Sequence, residues 1–376
     1  MNTRIFALAA AIIIFAGTFS ACNKAAGNDI TGSTGEPSNT QTSAAPTTLK
    51  PTTTENPTTA EPEETTVPEM TVPSPTLISD EPVSEFNFPE EGKRPFAVMI
   101  DNEGTKPLPQ GGLNKAQLIY EIIVEYGVTR LMALYWNEDP EMIGPVRSSR
   151  HYFIEYAMEH DALYVHIGQS PKAEIYLRDY KIQNVNGVLR GHWIFWDITN
   201  DPKNWQDTYT SMKKIKDYMT NAKYRFTTEK PLVFTYNETG AELACDKPAN
   251  EITLKYSYYS CSYEYDQQTR RYRRFREGKP HLERSTGKQL MATNIIVQYV
   301  KNYTIKGDTE GRQELDNVGE GKGYFISYGK VIDITWSKES ETEATIYKDL
   351  NGTVIKLNPG QTWVQVVPET AKVTIK

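Results

Sequence analysis

The apolar positions of this chain begin with one short run near the amino terminus and resume only close to residue 86. Phe6–Phe19 is an apolar stretch preceded by one positive charge, Arg4. The stretch is too short to cross the roughly 30 Å hydrocarbon core of a bilayer with ordinary flanking residues. A basic start, a short apolar run and small residues at its end are typical of a signal peptide, which we predict at residues 1–21.

The end of this run indicates how the protein is attached. Small residues precede a cysteine in Phe19-Ser20-Ala21-Cys22. This order resembles the bacterial lipobox, in which the cysteine becomes the new amino terminus and carries diacylglycerol and fatty acyl chains such as palmitate. Two or three acyl chains anchor a protein stably, whereas one chain binds only marginally. We therefore predict lipidation at Cys22 and a location at the extracytoplasmic face of the cell membrane; a plain secretory signal or an uncleaved anchor is the alternative.

Residues 22–85 have the composition of a disordered tether. Between Thr31 and Pro82 the chain has 15 Thr, 9 Pro and no Phe, Tyr or Trp. Such a segment cannot bury enough apolar surface to offset its ordering entropy, and its prolines stiffen it into a spacer. It carries ten acidic residues and two Lys, so it accounts for the net charge of −7.

The rest of the chain, residues 86–376, is charge-balanced, which gives no basis for a nucleic-acid partner. A mean hydropathy of −0.56 excludes a protein with many membrane spans, and three Cys exclude a disulfide-dense fold. The partners that we predict are the membrane, through the lipid anchor, and an anionic cell-wall polymer, a lipid headgroup or an envelope protein.

Residues 86–245 alternate between strand-like and helix-like patterns. Phe96–Ile100 predicts a buried strand, and Gln117–Trp136 favours a hairpin turning at Tyr126-Gly127 over a helix. A helix is predicted from Ser148 or Ser149 to about His160. A strand over 162–167 then leads into a helix that Ser170 caps and Pro171 begins. We expect an α/β or α+β domain, a mixed sheet with helices.

Residues 246–376 have a different pattern. Short apolar stretches recur between Gly, Asn, Asp and Pro, from about Ile252 to Val367. This spacing is typical of a mostly-β domain, and we expect a barrel or a sandwich.

Three charged residues of the predicted hairpin form the first candidate site. A two-residue turn at Tyr126-Gly127 would place Glu121, Glu125 and Arg130 on one face, with the arginine between the carboxylates. Such a group is either a solvated, charge-neutralised hairpin face or a pair of acid/base carboxylates. We take the three residues, with Asp101 at the end of the first strand, as candidate catalytic residues.

The second candidate is an anion site at two helix starts. Arg147, Ser148 and Arg150 follow the tight Gly144-Pro145 loop, and Gly168 and Ser170 precede the next helix. Backbone N–H groups, hydroxyls and guanidinium groups suit a phosphate or carboxylate. If both helices follow adjacent parallel strands, both starts lie at one edge of the sheet. The alternative is that these are ordinary caps, with the arginines paired to nearby glutamates.

The histidines give little sign of catalysis or metal binding. The chain has five: His151, His160, His166, His192 and His281. None has a zinc-ligand spacing, so we expect no metal site, and no pattern indicates a cofactor. His166 is a candidate catalytic residue in a buried strand, although a hydrogen-bonded core histidine is the simpler interpretation.

Two further features are the basic run and the remaining cysteines. Arg270–Arg276 is the densest basic stretch, and it is interpreted as an exposed strand edge kept soluble by charge, as a contact for anionic wall polymer or lipid headgroups, or as a contact for a partner protein. Cys245 and Cys261 either form a disulfide, which an extracytoplasmic compartment permits, or stay unpaired.

Long motifs in both halves carry a family resemblance. Pro95–Thr210 resembles the YerB-like bacterial lipoproteins through stretches such as AQLIYEIIVEYGVTR (116–130), IGPVRSSRHY (143–152) and DALYVHIGQSP (161–171). The second half resembles the separate carboxy-terminal domain of that family, notably in NPGQTWVQVVP (358–368). The resemblance implies an envelope lipoprotein of two domains, defined by a domain of unknown function, with no established activity.

A fainter similarity concerns the order of elements alone. A strand pair, a Pro-x-Arg loop and a strand ending in Gly before a helix look like LytR-CpsA-Psr phosphotransferases, in which arginines hold a polyprenyl pyrophosphate. The Arg147 loop lacks the Asp that follows the arginine in those enzymes. The sequence therefore leaves three hypotheses: a module that binds an anionic ligand or wall fragment, an enzyme acting on wall polymer or lipid-linked precursor, and a pure protein-interaction module.

Overall fold

The structure, a computed structural model, describes residues 86–190 and 193–376. The predicted signal peptide, Cys22 and the tether lie outside the described residues, as does His192. All described residues belong to one compact unit.

The first half mixes strands and helices, as predicted. Its strands are β1 Phe96–Asp101, β2 Leu118–Ile123, β3 Thr129–Tyr135, β4 Leu163–His166, β5 Asn184–Asn186, β6 Trp196–Asp197, β7 Thr208–Tyr209 and β8 Thr235–Tyr236. Its helices are α1 His151–Glu159, α2 Pro171–Asp179, α3 Gly187–Arg190 and α4 Met212–Asn221. Two 3-10 turns span Leu113–Lys115 and Glu125–Gly127.

The second half is built from strands, which confirms the predicted mostly-β character. They are β9 Glu251–Lys255, β10 Ser260–Asp266, β11 Arg271–Arg276, β12 Lys279–Pro280, β13 Met291–Ala292, β14 Asn294–Val300, β15 Asn302–Thr304, β16 Gln313–Leu315, β17 Gly319–Ser327, β18 Lys330–Lys338, β19 Ile346–Asp349, β20 Lys356–Leu357, β21 Thr362–Pro368 and β22 Lys372–Ile375.

One ten-stranded sheet runs through both halves, in the order β19-β18-β17-β14-β21-β2-β3-β1-β4-β5. The halves join where β2 pairs in parallel with β21, from Leu118 opposite Thr362 to Ile122 opposite Val366. The C-terminal strands therefore do not close into a barrel of their own. The domain boundary after residue 245 stays a prediction.

A six-stranded sheet contacts the large sheet at β2 and β21. Its strand order is β12-β11-β10-β9-β22, with β13 beside β11. Tyr256 Oη donates to the Glu121 carbonyl at 3.1 Å, and Cys261 Sγ lies 3.3 Å from Gln365 Oε1. Strand β11 is paired on both sides, and its side chains alternate, with Arg274 and Arg276 buried. The prediction of an exposed basic edge over Arg270–Arg276 is therefore wrong for these two arginines.

The hairpin of β2 and β3 is confirmed, but its register is one residue from the predicted one. Glu121 lies opposite Leu131, and Ile122 opposite Arg130. The cause is the turn, because Val124 and the 3-10 turn make it longer than two residues. Since a one-residue slip moves a side chain to the other face, Glu121 and Arg130 lie on opposite faces of the sheet.

The start of helix α2 is as predicted from the sequence, whereas the start of helix α1 differs from the prediction. Ser170 caps α2 by accepting a hydrogen bond from Ala173 N at 3.2 Å, and Pro171 is the first helical residue. Helix α1 is preceded by Arg150 rather than by a serine, without a side-chain cap. Among the described residues, no helix is long and apolar enough to cross a membrane.

Candidate functional site

The carboxyl ends of several parallel strands meet at one edge of the large sheet. Strands β1, β4 and β5 are parallel neighbours and end at Asp101, His166 and Asn186. Strand β2 runs in the same direction, since both β1 and β2 are antiparallel to β3. In open α/β sheets, ligands bind outside the carboxyl ends of the strands. This edge is therefore the natural place to look for a site.

The loop before α1 and the turn before α2 meet at this edge. Arg147 N donates to the Met99 carbonyl of β1 at 3.0 Å. Ser149 N donates to the Gly168 carbonyl at 3.0 Å, and Ser170 N donates to the Ser149 carbonyl at 3.1 Å. The structure thus brings together the two segments that the sequence analysis selected as candidate anion sites.

Three arginines gather here with two buried carboxylates, and we call Arg130, Arg147, Arg150, Asp101 and Glu125 the arginine cluster. Arg150 Nε donates to Glu125, and its Nη1 donates to the Ser149 carbonyl at 2.7 Å. Arg130 Nη1 donates to the Ser148 carbonyl at 2.9 Å, and its Nη2 lies 3.5 Å from Glu125 Oε2. Arg130 and Arg150 thus share one carboxylate.

The pKa values of the cluster reflect this crowding of positive charge. Burial lowers the pKa of Arg130 to about 10, with a further contribution from the charge of Arg150. Burial also lowers the pKa of Arg147. For Glu125, burial works to raise the pKa, but the hydrogen bond from Arg150 and the charge of Arg130 outweigh it and leave the pKa lowered. Glu125 therefore stays ionised and cannot serve as a general acid near neutral pH.

Arg147 differs from its neighbours because its guanidinium donates no hydrogen bond to any described residue. Its Nε lies 3.2 Å from Asp101 Oδ2 as an ion pair but has no hydrogen-bond acceptor, and its Nη2 lies 3.8 Å from Glu103. The guanidinium stacks 3.9 Å from the ring centre of Trp205, which is 51% exposed. The Nε is buried, but with the Arg147 side chain 19% exposed the two Nη groups are available to a ligand.

Of the neighbouring candidate residues, Ser148 has a free polar group, whereas those of Gly168 and Ser170 are already hydrogen-bonded. Ser148 is half-buried, and its hydroxyl has no hydrogen bond within the part of the chain that the structure describes. Gly168 N already donates to Asn186 Oδ1 at 3.1 Å. Ser170 is buried and caps α2. Of the five residues predicted to form an anion site, Arg147 and Ser148 therefore keep free groups, whereas Arg150 is paired with Glu125 and Gly168 and Ser170 have structural roles.

The other candidate catalytic residues are sealed inside the protein. Glu121 faces the six-stranded sheet and pairs with Arg274 at 2.6 Å, both side chains being fully buried. His166 Nδ1 contacts the Gly168 carbonyl at 2.8 Å and its Nε2 contacts Asn184 Oδ1 at 3.2 Å, while burial lowers its pKa. His166 is thus a hydrogen-bonded core histidine. The predicted grouping of Glu121, Glu125 and Arg130 on one face is wrong, because of the register described above.

Comparison with known proteins assigns the chain to a family. The family models described as "Protein of unknown function (DUF3048)" match it, the N-terminal domain over residues 85–225 and the C-terminal domain over residues 252–364. The chain belongs to the DUF3048 family. This confirms the resemblance noted from the sequence motifs.

A relative and a solved structure from Bacillus subtilis are similar to this DUF3048 protein. A protein of strain 168 named "Putative lipoprotein YerB" is 31% identical over 287 residues, which are 74% of this chain and 82% of that protein. The crystal structure of the YerB protein from Bacillus subtilis has a TM-score of 0.66 and 28% identity, covering 75% of this chain and 94% of that chain.

In the described part of this DUF3048 protein, neither the two remaining cysteines nor a group of metal ligands contributes to this site. Cys245 and Cys261 are both free, so the disulfide alternative is wrong. Burial raises the pKa of the Cys261 thiol to about 12, which leaves it protonated and unreactive. Within residues 86–190 and 193–376, no three His, Cys, Asp or Glu side chains are grouped to hold a metal ion.

Sequence reasoning missed two residues of this DUF3048 chain that matter. Trp205 lies in the irregular Pro202–Asp207 stretch, where no periodic pattern connects it with Arg147. Arg274 could have been found, because it shares the inward phase of β11 with Tyr272 while Arg271 and Arg273 point outward. The alternation was obscured by the number of arginines in the strand.

Proposed function

We propose that this DUF3048 protein is a lipoprotein, anchored through Cys22 at the extracytoplasmic face of the cell membrane, whose arginine cluster binds an anionic ligand. The relative named as a lipoprotein and the lipobox-like sequence at Cys22 support the anchor. The tether would place the folded part at a distance from the membrane. The ligand class would be a phosphate or carboxylate group on a wall polymer or a lipid headgroup.

The observation that carries the anion-binding proposal is the Arg147 guanidinium. An arginine that is largely buried normally has its N–H groups hydrogen-bonded, since an unpaired buried donor is costly. Arg147 has close carboxylates but no hydrogen bond to a described residue, and Trp205 holds its plane in place. A planar fork with open donors suits the bidentate binding of phosphate or carboxylate. The Ser148 hydroxyl next to it would add one more donor.

The enzymatic alternative receives less support from this geometry. A phosphotransferase or hydrolase needs a group that can accept or deliver a proton beside the bound anion. Glu125 is held ionised by two arginines, and Asp101 is fully buried beneath Arg147. Glu121 is buried in its ion pair with Arg274, and His166 is buried and hydrogen-bonded to the Gly168 carbonyl. Binding without chemistry is therefore the function that we favour.

Removing the Arg147 side chain is expected to weaken anion binding at least about tenfold, since a hydrogen bond to a charged group is worth roughly 1.5–3 kcal/mol. The measurement is isothermal titration of the full-length protein, in detergent, with pyrophosphate as the probe. Arg147→Ala should lose affinity, and Arg147→Lys should recover part of it because it keeps the charge without the planar fork.

Arg178→Ala is the matched control. Arg178 is an exposed arginine at the end of α2 that forms an ion pair with its neighbour Asp179. This variant should bind pyrophosphate like the parent protein. Equal affinity in Arg147→Ala and the parent, or equal losses in both variants, would rule out the arginine cluster as the site.

A further inference from the structure

A concave site lies at the Tyr126-Gly127 turn, and its lining includes none of the residues of the arginine cluster. It is a cavity of about 340 Å³ between the ends of β2 and β21, the turn between β9 and β10, and the β15–β16 hairpin. Its size falls within the range of small-molecule sites. We call it the tyrosine-rimmed cavity; the residues that matter are Tyr126, Ser257, Asn302, Thr304, Gln313 and Thr370.

The chemistry of this cavity is the opposite of that of the arginine cluster. None of its lining residues is Asp, Glu, Lys, Arg or His. Besides the two tyrosine hydroxyls, its polar side-chain groups are the hydroxyls of Ser257, Thr304 and Thr370 and the amides of Asn302 and Gln313. Arg312, beside the cavity in sequence, is already paired with Asp308 at 2.9 Å. The cavity therefore offers hydrogen bonds without offering charge.

Hydrogen bonds between the lining side chains fix which groups are left for a ligand. Asn302 Nδ2 donates to Gln313 Oε1 at 2.9 Å, and Gln313 Nε2 donates to Thr304 Oγ1 at 3.0 Å. The Thr304 hydroxyl therefore keeps its own hydrogen to donate, and Asn302 Oδ1 stays open as an acceptor. The Ser257 and Thr370 hydroxyls bond to no residue in 86–190 or 193–376 and can do both. The groups left free for a ligand thus include both hydrogen-bond donors and hydrogen-bond acceptors.

An exposed aromatic ring is held at the rim in a strained backbone conformation. Tyr126 is 67% exposed and has φ of 56°, which is uncommon for a bulky residue. Its ring packs over Gly311, where an added Cβ would lie 3.5 Å from Tyr126 Cε1. At Gly127, an added Cβ would come within 2.8 Å of Ser257 Cβ, so only glycine leaves the adjoining wall in place. Such strain is concentrated at ligand sites.

We propose that the tyrosine-rimmed cavity binds a segment of neutral carbohydrate. A pyranose presents hydroxyls that both donate and accept, which matches the free groups of the cavity. It also presents a face of C–H bonds, which the negative face of an aromatic ring attracts. A phosphate would require a cation that the lining lacks. The site and its ligand class are independent of the anion proposed for the arginine cluster.

The test is saturation-transfer NMR on the full-length protein in a zwitterionic detergent that has no sugar headgroup. The probes are the tetramer of N-acetylglucosamine and maltotetraose. Saturation should reach the ring protons of at least one probe. Tyr126→Gly should weaken that binding by about tenfold or more. Its melting temperature should stay equal or rise, because glycine accepts the positive φ without strain.

Two further variants make the result specific. Thr370→Val keeps the shape of the side chain and removes one hydroxyl, so we expect roughly fivefold weaker binding. Tyr180→Ala removes an exposed tyrosine at the end of α2 and should change nothing. The proposal is overturned if neither sugar receives saturation, if Tyr126→Gly binds as well as the parent protein, or if inorganic phosphate displaces the sugar.

Discussion

Replacing Arg274 by alanine is expected to destabilise the protein by about 3–5 kcal/mol, the usual cost of leaving one member of a buried ion pair without its partner. Arg274 Nη2 and Glu121 Oε2 are 2.6 Å apart, and both side chains are fully buried. The guanidinium also donates to His281 Nδ1 at 3.0 Å and lies 4.0 Å from the ring centre of Trp363. Urea denaturation of the full-length protein measures the loss.

The hydrogen bond between Arg274 and His281 is consistent with a positively charged guanidinium and a neutral imidazole. Burial and the positive charge of Arg274 hold the pKa of His281 well below its usual range, so its Nδ1 can accept the hydrogen bond. Because the network connects β11 with β2, the variant should loosen the packing of the two sheets.

Arg273→Ala is the control, since Arg273 is the next residue of β11 but points into solvent. Its effect should stay within about 0.5 kcal/mol. The double variant Glu121→Leu with Arg274→Met should recover much of the loss, because removing both charges leaves neither one unpaired. A similar small loss for Arg273→Ala and Arg274→Ala would contradict the assigned ion pair.

The second large effect is expected at Glu155 of α1, where Glu155→Gln should stabilise the protein at pH 8 but not at pH 4. Burial raises the pKa of Glu155 to about 7, and the neighbouring Asn317 amide and the charge of Lys338 offset only part of that effect. The facing charged groups are Lys338 on β18, Glu341 after it and Lys172 on α2. Glu155 Oε2 is buried with no hydrogen-bond partner among the described residues.

The direction follows from proton binding. The folded state binds this proton more tightly than the unfolded chain, whose glutamate has a pKa of about 4.3. Stability from Glu155 is therefore fully present below about pH 4.3 and is lost as pH rises through about 7. At roughly 1.36 kcal/mol per pKa unit, the loss is on the order of 3–4 kcal/mol.

Urea denaturation of the parent protein and of Glu155→Gln at pH 4, 6 and 8 tests this. The stability difference between the two proteins should grow in favour of the variant as pH rises. Glu174→Gln, an exposed glutamate on α2, is the control and should stay within about 0.5 kcal/mol throughout. A difference that does not vary with pH would show that Glu155 is not buried as the structure indicates.

Sequence patterns predicted the local elements of this fold well, because each has a local cause. Apolar residues at 96–100 indicated β1, and Ser170 with Pro171 indicated the start of α2. The division into a mixed first half and a strand-rich second half is confirmed as well. What local patterns could not show is the parallel pairing of β2 with β21, which joins residues more than two hundred positions apart.

The candidate site was harder to predict because it depends on register and on long-range contacts. One extra turn residue near Tyr126 moved Glu121 away from Arg130 and towards Arg274. The partner that holds Arg147, Trp205, comes from an irregular loop. The Arg147 loop and the Gly168 turn meet as expected, but not for the expected reason: the Arg147 loop follows β3, which is antiparallel to β1, and runs back along the sheet to reach the ends of β1 and β4.

The most direct test of the anion site is NMR of the arginine side chains in the full-length protein labelled with ¹⁵N-arginine, titrated with pyrophosphate. The Arg147 Nη–H resonances should shift and saturate, because these groups donate no hydrogen bond to a described residue before the ligand binds. The Arg150 Nε–H resonance, already bonded to Glu125, should shift less. An Arg147 resonance that stays unchanged while pyrophosphate binds elsewhere would contradict the proposed function.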